Sequence, residues 1–348
     1  MKIVVACGGT GGHTFPGLAV AKELVAQGHE VIVWTSGRDV EKSVMKSWEG
    51  AVFATGAKQL KPKFIFATLA SYFRCRREMK KLKPNAVLAM GSYSSLPPVL
   101  AARSLGVPVI LHEANTVPGK AVEFLSRYAK VVAISFAVTE KYVTKAPCVL
   151  TGLPIRNEIA KGARFDFIPE NAFVVMVTGG SQGAHVVNEL TSQAMTLVKK
   201  EVPLYVIHQT GMKDEQMVAE LYQENKIPCR VHGFEQEMAN AFKSANLVIA
   251  RAGASTCFEL AACGKPVLFI PLPSAMRNHQ HFNADAFVSQ GAADEGIQAS
   301  LSPKTIARYI ERAYEEKAHT SAMAEKILKL ATPDAAKSVS ELVLSNAH

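Results

Sequence analysis

Two glycine-rich segments contain the residues whose types and spacing could do chemistry. The first runs from Gly8 to His13 and the second from Gly179 to His185, each directly after a short apolar run of strand length. A glycine-rich turn between a strand and a helix lets backbone N–H groups approach a phosphate, and the helix dipole stabilises its negative charge. The two segments therefore predict two anion-binding loops.

The spacing of the glycines disfavours the common nucleotide cofactors. A dinucleotide-binding fold needs the pattern G-x-G-x-x-G and an acidic residue at the end of the second strand. Thr14 stands where the third glycine is required, and the second strand ends in Thr35-Ser36-Gly37. The pattern G-x-x-x-x-G-K-[ST] of an ATP-binding P-loop does not occur. Sites for NAD and for P-loop-bound ATP are thus both disfavoured.

The acidic and histidine residues give little support to a metal centre. The aspartates form no D-x-D pair, the arrangement that would hold a metal against a sugar nucleotide. His112-Glu113 is not an H-E-x-x-H motif, and His279 with His281 is a weak ligand pair. We therefore expect no metal site. Two phosphate-binding loops without a metal suit glycosyl transfer from a nucleotide diphosphate sugar.

The elements that must position these loops follow a repeating pattern. Short apolar runs bounded by glycine or proline alternate with longer helical patterns. They predict buried parallel strands at Ile3–Ala6, Val31–Trp34, Ala86–Ala89, Val107–Leu111, Val131–Ile134, Phe173–Val177, Leu204–Ile207, Arg230–His232, Leu247–Ala250 and Pro266–Ile270. The pattern favours an α/β fold of two doubly wound domains, joined near residues 152–162 and closed by helical stretches at 303–330 and 334–345.

Composition fits a folded enzyme of two domains. The 348 residues are 48% hydrophobic and 20% charged, which excludes disordered and collagen-like classes. Met1–Ala6 lacks the apolar length of a signal peptide, and residues 86–102 are too short and too polar to span a bilayer. We therefore expect a cytoplasmic protein. The net charge of +9 is concentrated in residues 58–83, which include nine basic residues and one acidic residue.

Six short motifs, in order along nearly the whole chain, resemble the MurG family of peptidoglycan glycosyltransferases. They are Gly8-Gly9-Thr10-Gly11-Gly12-His13 with Pro16-Gly17, His112-Glu113-Ala114-Asn115, Gly152-Leu153-Pro154-Ile155-Arg156, Gly179-Gly180-Ser181-Gln182-Gly183-Ala184, Arg251-Ala252-Gly253-Ala254-Ser255-Thr256 through Glu259, and Asn278-His279-Gln280 with Asn283-Ala284. Two residues depart from the family pattern. Leu153 stands where asparagine is usual, which puts in doubt a polar contact beside Arg156. His185 stands where arginine is usual, which reduces the fixed positive charge near the second loop.

The resemblance implies a GT-B fold, with two Rossmann-like domains facing a cleft, and an inverting transfer that uses no metal and no other cofactor. It implies acceptor and membrane binding by residues 1–155 and UDP-sugar binding by residues 156–348, with the last helix able to pack back on the first domain. The implied donor-site residues are Thr10, Gly11, Gly12, Asn115, Arg156, Ser181, Phe234, Ala254, Ser255, Thr256, Cys257, Phe258, Glu259 and Gln280.

Several of these assignments have a chemical reason, and each has a plainer alternative. Glu259, expected in a first helical turn, could bind a ribose diol or be a helix acid stabilised by the dipole. Ser181 and the N–H groups of 254–256 could stabilise the charge that develops on the leaving UDP, or cap their helices. Gln280 and Asn115 could bond sugar hydroxyls or brace loops.

An inverting transfer needs a base to take the proton from the acceptor hydroxyl. His13, expected at the tip of the first loop, has an ordinary pKa near about 6.5 and is the first candidate. Its alternative is a histidine that structures the loop or binds the acceptor diphosphate. Glu113 is the second candidate, with a buried structural carboxylate as its alternative.

The basic segment 58–83 predicts a membrane-docking helix. Phe66, Leu69 and Phe73 fall at helical spacing and are followed by Arg74, Arg76, Arg77, Lys80 and Lys81. Apolar and cationic groups side by side suit the anionic inner leaflet of a bilayer. An amphipathic helix that packs on the core is the alternative. Nucleic acid is disfavoured, because the charge is confined to one segment that also carries an apolar cluster.

These expectations combine into one predicted function. The resemblance implies transfer of N-acetylglucosamine from UDP-N-acetylglucosamine to an undecaprenyl-diphosphate-linked N-acetylmuramyl pentapeptide, at the cytoplasmic face of the bacterial inner membrane. One alternative is a UDP-N-acetylglucosamine 2-epimerase, which resembles the same two-domain fold. A second alternative is a non-catalytic membrane-docking protein, against which both glycine loops and Glu259 argue.

Overall fold

The computed structural model describes residues 1–9, 11–38, 41, 44–58, 64–156 and 158–348. The chain divides into two compact units. Unit 1 contains residues 1–156 and 332–348, and unit 2 contains residues 157–331. The division falls one residue after the predicted boundary, so that Arg156 lies in unit 1. The chain also returns to unit 1 at its C-terminal end.

Unit 1 contains a parallel sheet flanked by helices. Its strands are β1 (Lys2–Ala6), β2 (Glu30–Thr35), β3 (Ala51–Ala54), β4 (Ala86–Ala89), β5 (Val109–Glu113), β6 (Val131–Ile134) and β7 (Cys148–Leu150), in the order β3-β2-β1-β4-β5-β6-β7. Its helices include α1 (Gly11–Ala26), α2 (Ile65–Leu82), α3 (Leu96–Ser104) and α4 (Lys120–Leu125). In β1, Ile3 and Val5 pack into one core layer and Val4 into the other, as the two-residue period of a strand requires.

Unit 2 repeats this architecture. Its strands are β8 (Phe173–Thr178), β9 (Leu204–Gln209), β10 (Cys229–His232), β11 (Leu247–Ala250), β12 (Val267–Phe269) and β13 (Asp294–Glu295), in the order β10-β9-β8-β11-β12-β13 and parallel throughout the described pairs. Its helices include α5 (His185–Leu197), α6 (Glu215–Glu224), α7 (Met238–Ser244), α8 (Ala254–Cys263), α9 (His279–Val288), α10 (Pro303–Glu315) and α11 (Lys317–Lys329).

The C-terminal segment differs from its prediction. The helical stretch predicted at 303–330 is two helices, because the backbone leaves the helical region at Glu316, with φ −95° and ψ 62°. The last helix, α12 (Ala335–Asn346), belongs to unit 1. Val339 and Val343 of α12 enter the same core layer as Leu24 of α1. This packing completes one face of the first sheet.

Candidate active site

The predicted site residues lie near the carboxyl ends of the strands in the two sheets. The strand order reverses direction between β1 and β4 in unit 1, and between β8 and β11 in unit 2. Ligands of open α/β sheets bind outside the carboxyl ends of the strands at such points. The first glycine loop follows β1, the second follows β8, and the segment 251–259 follows β11. Each unit thus has a candidate binding site of its own at the carboxyl ends of its strands.

The first glycine loop is held from two sides by buried polar side chains. Glu41 accepts hydrogen bonds from Gly9 N at 2.6 Å and from Gly37 N at 2.8 Å. Ser94 donates its hydroxyl to the carbonyl of Gly8. Neither residue was predicted from the sequence, because Glu41 lies beyond the end of β2 and Ser94 beyond the end of β4, and only the fold brings them to the loop. The buried Glu41 carboxylate therefore fixes the backbone of the first glycine loop from its core side.

His13 lies in the first turn of α1 rather than at the tip of the loop, because α1 already begins at Gly11. Gly11 and Gly12 are accordingly helical, while Thr10 lies outside the described residues. The imidazole of His13 is partly exposed and approaches Gly91, where a Cβ would stand 3.7 Å from its Cδ2. A partly exposed imidazole at this edge is accessible to a ligand.

His112 lies near His13 and is fully buried. Burial lowers its pKa from 6.5 to about 4, a change that the hydrogen bond to Gly152 opposes and the nearby His13 reinforces. Its Nε2 lies 3.5 Å from the Gly152 carbonyl, whereas its Nδ1 has no hydrogen-bond partner among the residues described. His112 is therefore neutral at pH 7.

Glu113 and Asn115 bond each other. Glu113 Oε1 accepts from Asn115 N at 2.9 Å and from Asn115 Nδ2 at 3.1 Å, and its Oε2 accepts from Gly119 N at 2.9 Å. Burial raises the pKa of Glu113, and these hydrogen bonds act against that rise. Both side chains therefore brace the loop that follows β5.

Arg156 and Leu153 follow β7 in unit 1. The guanidinium carbon of Arg156 lies 4.9 Å from the centre of the Phe15 ring on α1, a cation–π distance. Leu153 is fully buried. A buried amide needs hydrogen-bond partners that a leucine does not need. The departure from the family's asparagine thus replaces a polar group with an apolar one inside the protein.

The second glycine loop, residues 179–184, leads into α5. Ser181 is exposed in this loop. His185 begins α5, and its Nδ1 lies 3.1 Å from Asp214 Oδ1. Asn188 donates to the other oxygen of Asp214 at 2.7 Å. The histidine in the arginine position thus lies against the Asp214 carboxylate at the start of α5.

The segment after β11 forms the first turns of α8. Its first residues, 254–256, present the backbone N–H groups that a helix leaves unpaired at its start. Glu259 is partly exposed and is the sixth residue of α8, so that it lies in the second turn rather than in the predicted first turn. The side chains of Cys257 and Phe258 are buried in the core, so that only their backbone could contribute to the predicted donor site.

Arg251 and Gln280 hold the loop that follows β12. The guanidinium of Arg251, which is largely buried, donates to the carbonyls of 270–271 at 2.9 and 3.0 Å and to Gln298 Oε1 at 2.7 Å. Gln280 Oε1 accepts from Leu272 N at 2.9 Å, while its Nε2 has no partner in the part of the chain that the structure describes. Arg251 belongs to a predicted motif but had no predicted role. In the structure its hydrogen bonds stabilise this loop.

The helix of the basic segment, α2, packs on unit 1 through a narrow face. Cys75 and Met79 are buried in a core layer, and Ser71 donates to the Thr55 carbonyl at 2.9 Å. Lys61 and Lys63 of the same segment lie outside the described residues.

The apolar residues that were predicted to face a membrane lie on another face of α2. Phe66 is 81% exposed, Leu69 49% and Phe73 63%. Residues three or four apart share a helix face, so Arg77 and Lys80 continue the same stripe toward the C-terminal end. These apolar side chains are therefore outside the core. The exposed stripe of α2 has apolar residues toward its N-terminal end and cationic residues toward its C-terminal end.

Neither a metal-binding cluster nor a membrane-spanning helix is present among the described residues. No three His, Cys, Asp or Glu side chains of these residues are grouped as a metal ion would require. Over the same part of the chain, none of the helices has both the length and the apolar character that crossing a membrane demands.

Comparison with known proteins agrees with the resemblance in the motifs. Models of the glycosyltransferase family 28 N-terminal and C-terminal domains match residues 3–134 and 174–339. A UDP-N-acetylglucosamine–N-acetylmuramyl-(pentapeptide) pyrophosphoryl-undecaprenol N-acetylglucosamine transferase from Geobacter metallireducens is 34% identical, with 99% of each chain covered. The crystal structure of Acinetobacter baumannii MurG is 32% identical over 99% of each chain, with a TM-score of 0.80.

A third comparison shows the fold alone. UDP-GlcNAc 2-epimerase from Neisseria meningitidis, solved with UDP-GlcNAc bound, is 16% identical over 99% of this chain and 100% of its own, with a TM-score of 0.75. The GT-B fold expected from the motifs is confirmed by these structures and by the parallel sheets of the two units. The family models and the full-length relatives place the chain in glycosyltransferase family 28, within the MurG family.

Proposed function

We propose that this protein transfers N-acetylglucosamine from UDP-N-acetylglucosamine to an undecaprenyl-diphosphate-linked N-acetylmuramyl pentapeptide, the step from lipid I to lipid II in peptidoglycan synthesis. The similarity to the Geobacter transferase over nearly the whole of both chains carries this proposal. The 2-epimerase alternative is supported by likeness of fold only.

Unit 2 is proposed to bind the donor. The N–H groups of 254–256 and the loop at Ser181 would hold the diphosphate, where helix dipoles stabilise the charge that develops on the leaving UDP. Glu259, partly exposed, would accept hydrogen bonds from the ribose diol. Phe234, which is 47% exposed, would lie beside the uracil. Gln280 keeps its Nε2 group available for a sugar hydroxyl.

Unit 1 is proposed to bind the acceptor and to supply the base. His13 is the first candidate for the base because its imidazole is partly exposed at the N-terminus of α1. Glu113 is the weaker candidate, since both of its oxygens accept hydrogen bonds from its own loop. Donor contacts by Asn115 and Arg156 stay predictions.

The exposed stripe of α2 is proposed to dock on an anionic membrane surface. The three exposed apolar side chains would enter the interface and the basic residues that follow would face anionic headgroups. A peripheral enzyme at the cytoplasmic face of the bacterial inner membrane is the arrangement that follows. Nucleic acid is not proposed as a partner.

A radiolabelled assay tests the proposal. The protein is incubated with labelled UDP-N-acetylglucosamine, with and without the lipid-linked muramyl acceptor and a chelator. Label is expected in the lipid product only when acceptor is present, and the chelator is expected to have no effect. Conversion of the donor to its C2 epimer without acceptor would favour the epimerase. Inactivation by the chelator, reversed by a divalent ion, would overturn the metal-free mechanism.

A further inference from the structure

One buried side chain joins the second glycine loop to the segment that carries Phe234. Gln209, the last residue of β9, is 2% exposed. Its Nε2 donates to Gly180 O at 2.7 Å, and its Oε1 accepts from Glu235 N at 3.4 Å. A carbonyl oxygen only accepts and a backbone N–H only donates, so the amide of Gln209 has one allowed orientation.

We propose that Gln209 is a positioning residue for the donor nucleotide, which sets the separation between the loop at Ser181 and the segment at Phe234. The inference rests on the proposed function, because it takes these two segments as the diphosphate and uracil ends of one site. Gln209 itself is buried beneath both segments and is not proposed to touch the nucleotide.

The backbone beside Gln209 packs tightly against the glycine loop. Gly183 has a φ of +73°, and a Cβ there would stand 2.0 Å from Thr210 O. A Cβ on Gly211, whose φ is +79°, would stand 2.5 Å from Gln182 O. Side chains are excluded at both positions, so the two turns meet backbone to backbone. A shift of residues 209–211 would therefore move the glycine loop.

The same turn is bonded to the segment on its other side. Thr210 N donates to His232 O at 3.0 Å, and Gly211 N donates to Gly233 O at 3.0 Å. These bonds continue the β9–β10 pairing beyond the ends of the strands. The turn 209–211 thus lies between the two segments and bonds or packs against each of them.

Glu235, the residue on which Gln209 acts in this segment, is itself fixed. Its side chain is 3% exposed and accepts from Arg230 Nε at 2.8 Å. The Arg230 guanidinium stacks over the ring of Phe165, 4.7 Å from its centre. Arg230 lowers the pKa of Glu235 against the opposing effect of burial. The segment next to Phe234 is therefore anchored by a largely buried ion pair at the residue whose N–H bonds Gln209.

The spacing matters for a ligand that must reach both segments at once. UDP gains from its diphosphate and uracil contacts together only when their separation matches the molecule, and small misplacements are costly. Uridine has no diphosphate and would contact only the segment at Phe234. Loss of Gln209 is therefore expected to weaken UDP more than uridine.

Two variants of Gln209 remove one or both of its hydrogen bonds. Gln209→Glu retains an acceptor for Glu235 N but sets a carboxylate against Gly180 O, and Gln209→Leu removes both bonds. Asn246→Ala is the control, because Asn246 Oδ1 accepts from Val174 N at 2.8 Å at the amino ends of the neighbouring strands β11 and β8, away from both segments. The control loses a bridging hydrogen bond without approaching either segment.

The experiment measures the dissociation constants of UDP and uridine at pH 8 by calorimetry or NMR titration, together with the melting temperature of each full-length variant. Gln209→Glu is expected to bind UDP about tenfold more weakly, the loss expected for one buried hydrogen bond, and Gln209→Leu, which loses both bonds, at least as weakly. Both variants are expected to bind uridine within about twofold of wild type. Lowering the pH protonates the carboxylate introduced by Gln209→Glu, which can then donate to Gly180 O, so the UDP affinity of this variant is expected to recover. The control keeps the wild-type ratio of the two affinities.

A folded Gln209 variant whose ratio of UDP to uridine affinity equals that of wild type would overturn the inference, whether both affinities stay unchanged or fall equally. Should the leucine variant fail to fold, the glutamate variant decides, since it keeps one of the two bonds. A wild-type protein that does not bind UDP would overturn the proposed donor site and this inference with it. Wild-type binding with unaffected variants would leave the proposed function standing.

Discussion

Asn115 donates both its backbone N–H and its side-chain amide to the same oxygen of Glu113, at 2.9 and 3.1 Å. The other oxygen accepts from Gly119 N. Both oxygens of this carboxylate thus hold the loop that follows β5 in place. Because the imidazole of His13 is partly exposed while the Glu113 carboxylate bonds its own loop, we predict that His13 is the base.

Replacement of His13 by alanine is expected to lower kcat by roughly 10²–10⁴-fold, the usual contribution of a general base, with UDP affinity little changed. Steady-state kinetics with both substrates measures this effect. His29→Ala is the control, because His29 follows the opposite end of α1. If the rate falls only through a higher acceptor KM, His13 binds the acceptor instead.

Replacement of Glu113 by glutamine is expected to act through the loop. The new amide group would face backbone N–H donors, so the melting temperature and kcat should both fall. The pH dependence of kcat should keep the wild-type pKa, because the base is still present. Loss of the acidic limb of that pH profile would instead identify Glu113 as the base.

Replacement of Glu259 by alanine is expected to raise the donor KM strongly while the fold stays intact. Loss of a ribose contact is felt in the ground state and the transition state alike, so kcat should change less than KM. Glu325→Ala, an exposed acidic residue on α11, is the control. An unchanged donor KM in a folded Glu259 variant would exclude the ribose assignment.

Neutralising the cationic end of the exposed α2 stripe is expected to weaken membrane binding. Arg77→Gln with Lys80→Gln should reduce sedimentation with phosphatidylglycerol vesicles about tenfold or more at low salt, since each nearby cation adds about 1 kcal/mol. Lys141→Gln with Lys145→Gln makes the same charge change on exposed residues elsewhere in unit 1. Activity on a water-soluble short-chain acceptor should persist.

Arg74 and Arg76 of the same helix are less suitable for this test. The Arg74 guanidinium lies 5.2 Å from the centre of the Phe53 ring, and Arg76 Nε donates to Ser104 Oγ at 3.2 Å. Their replacement would therefore also disturb packing within unit 1. Equal vesicle binding by the Arg77 and Lys80 variant and by wild type would leave α2 as ordinary structure.

Folding stability is expected to fall in mild acid because of His208. Its Nδ1 lies 2.9 Å from the Tyr222 hydroxyl and its Nε2 lies 3.2 Å from Asn188 Oδ1. Burial lowers the pKa of His208 from 6.5 to about 3, against a smaller opposing effect of Asp214. As the pH falls below 6.5 the unfolded chain takes up the proton first, so stability is lost between pH 6.5 and 3.

The size of this loss is on the order of 5 kcal/mol, because each pKa unit corresponds to about 1.4 kcal/mol. Urea unfolding at several pH values measures it. His208→Gln keeps a donor toward Asn188 and should flatten the dependence, whereas His29→Gln should not. Parallel curves for wild type and the His208 variant would contradict the assignment.

The sequence determined the centre of both sheets and the placing of the glycine loops. Ala86–Ala89 and Leu247–Ala250 begin and end where their apolar runs predict, because a strand buried on both faces must be apolar throughout. The edge strands β3, β7 and β13 were missed. They are short and mostly exposed or half-buried, so that only their pairing with a neighbouring strand defines them.

Only the tertiary structure decided what the polar residues around the loops do. Glu41 reaches Gly9 across the ends of two strands, and Gln209 bonds Gly180 and Glu235, residues that lie far from it along the chain. Periodicity indicates which face of an element is buried, but a hydrogen-bond partner from another element is set by the folded backbone. For the same reason, the motif that includes Cys257 and Phe258 identified a helix correctly while the fold turned those two side chains into the core.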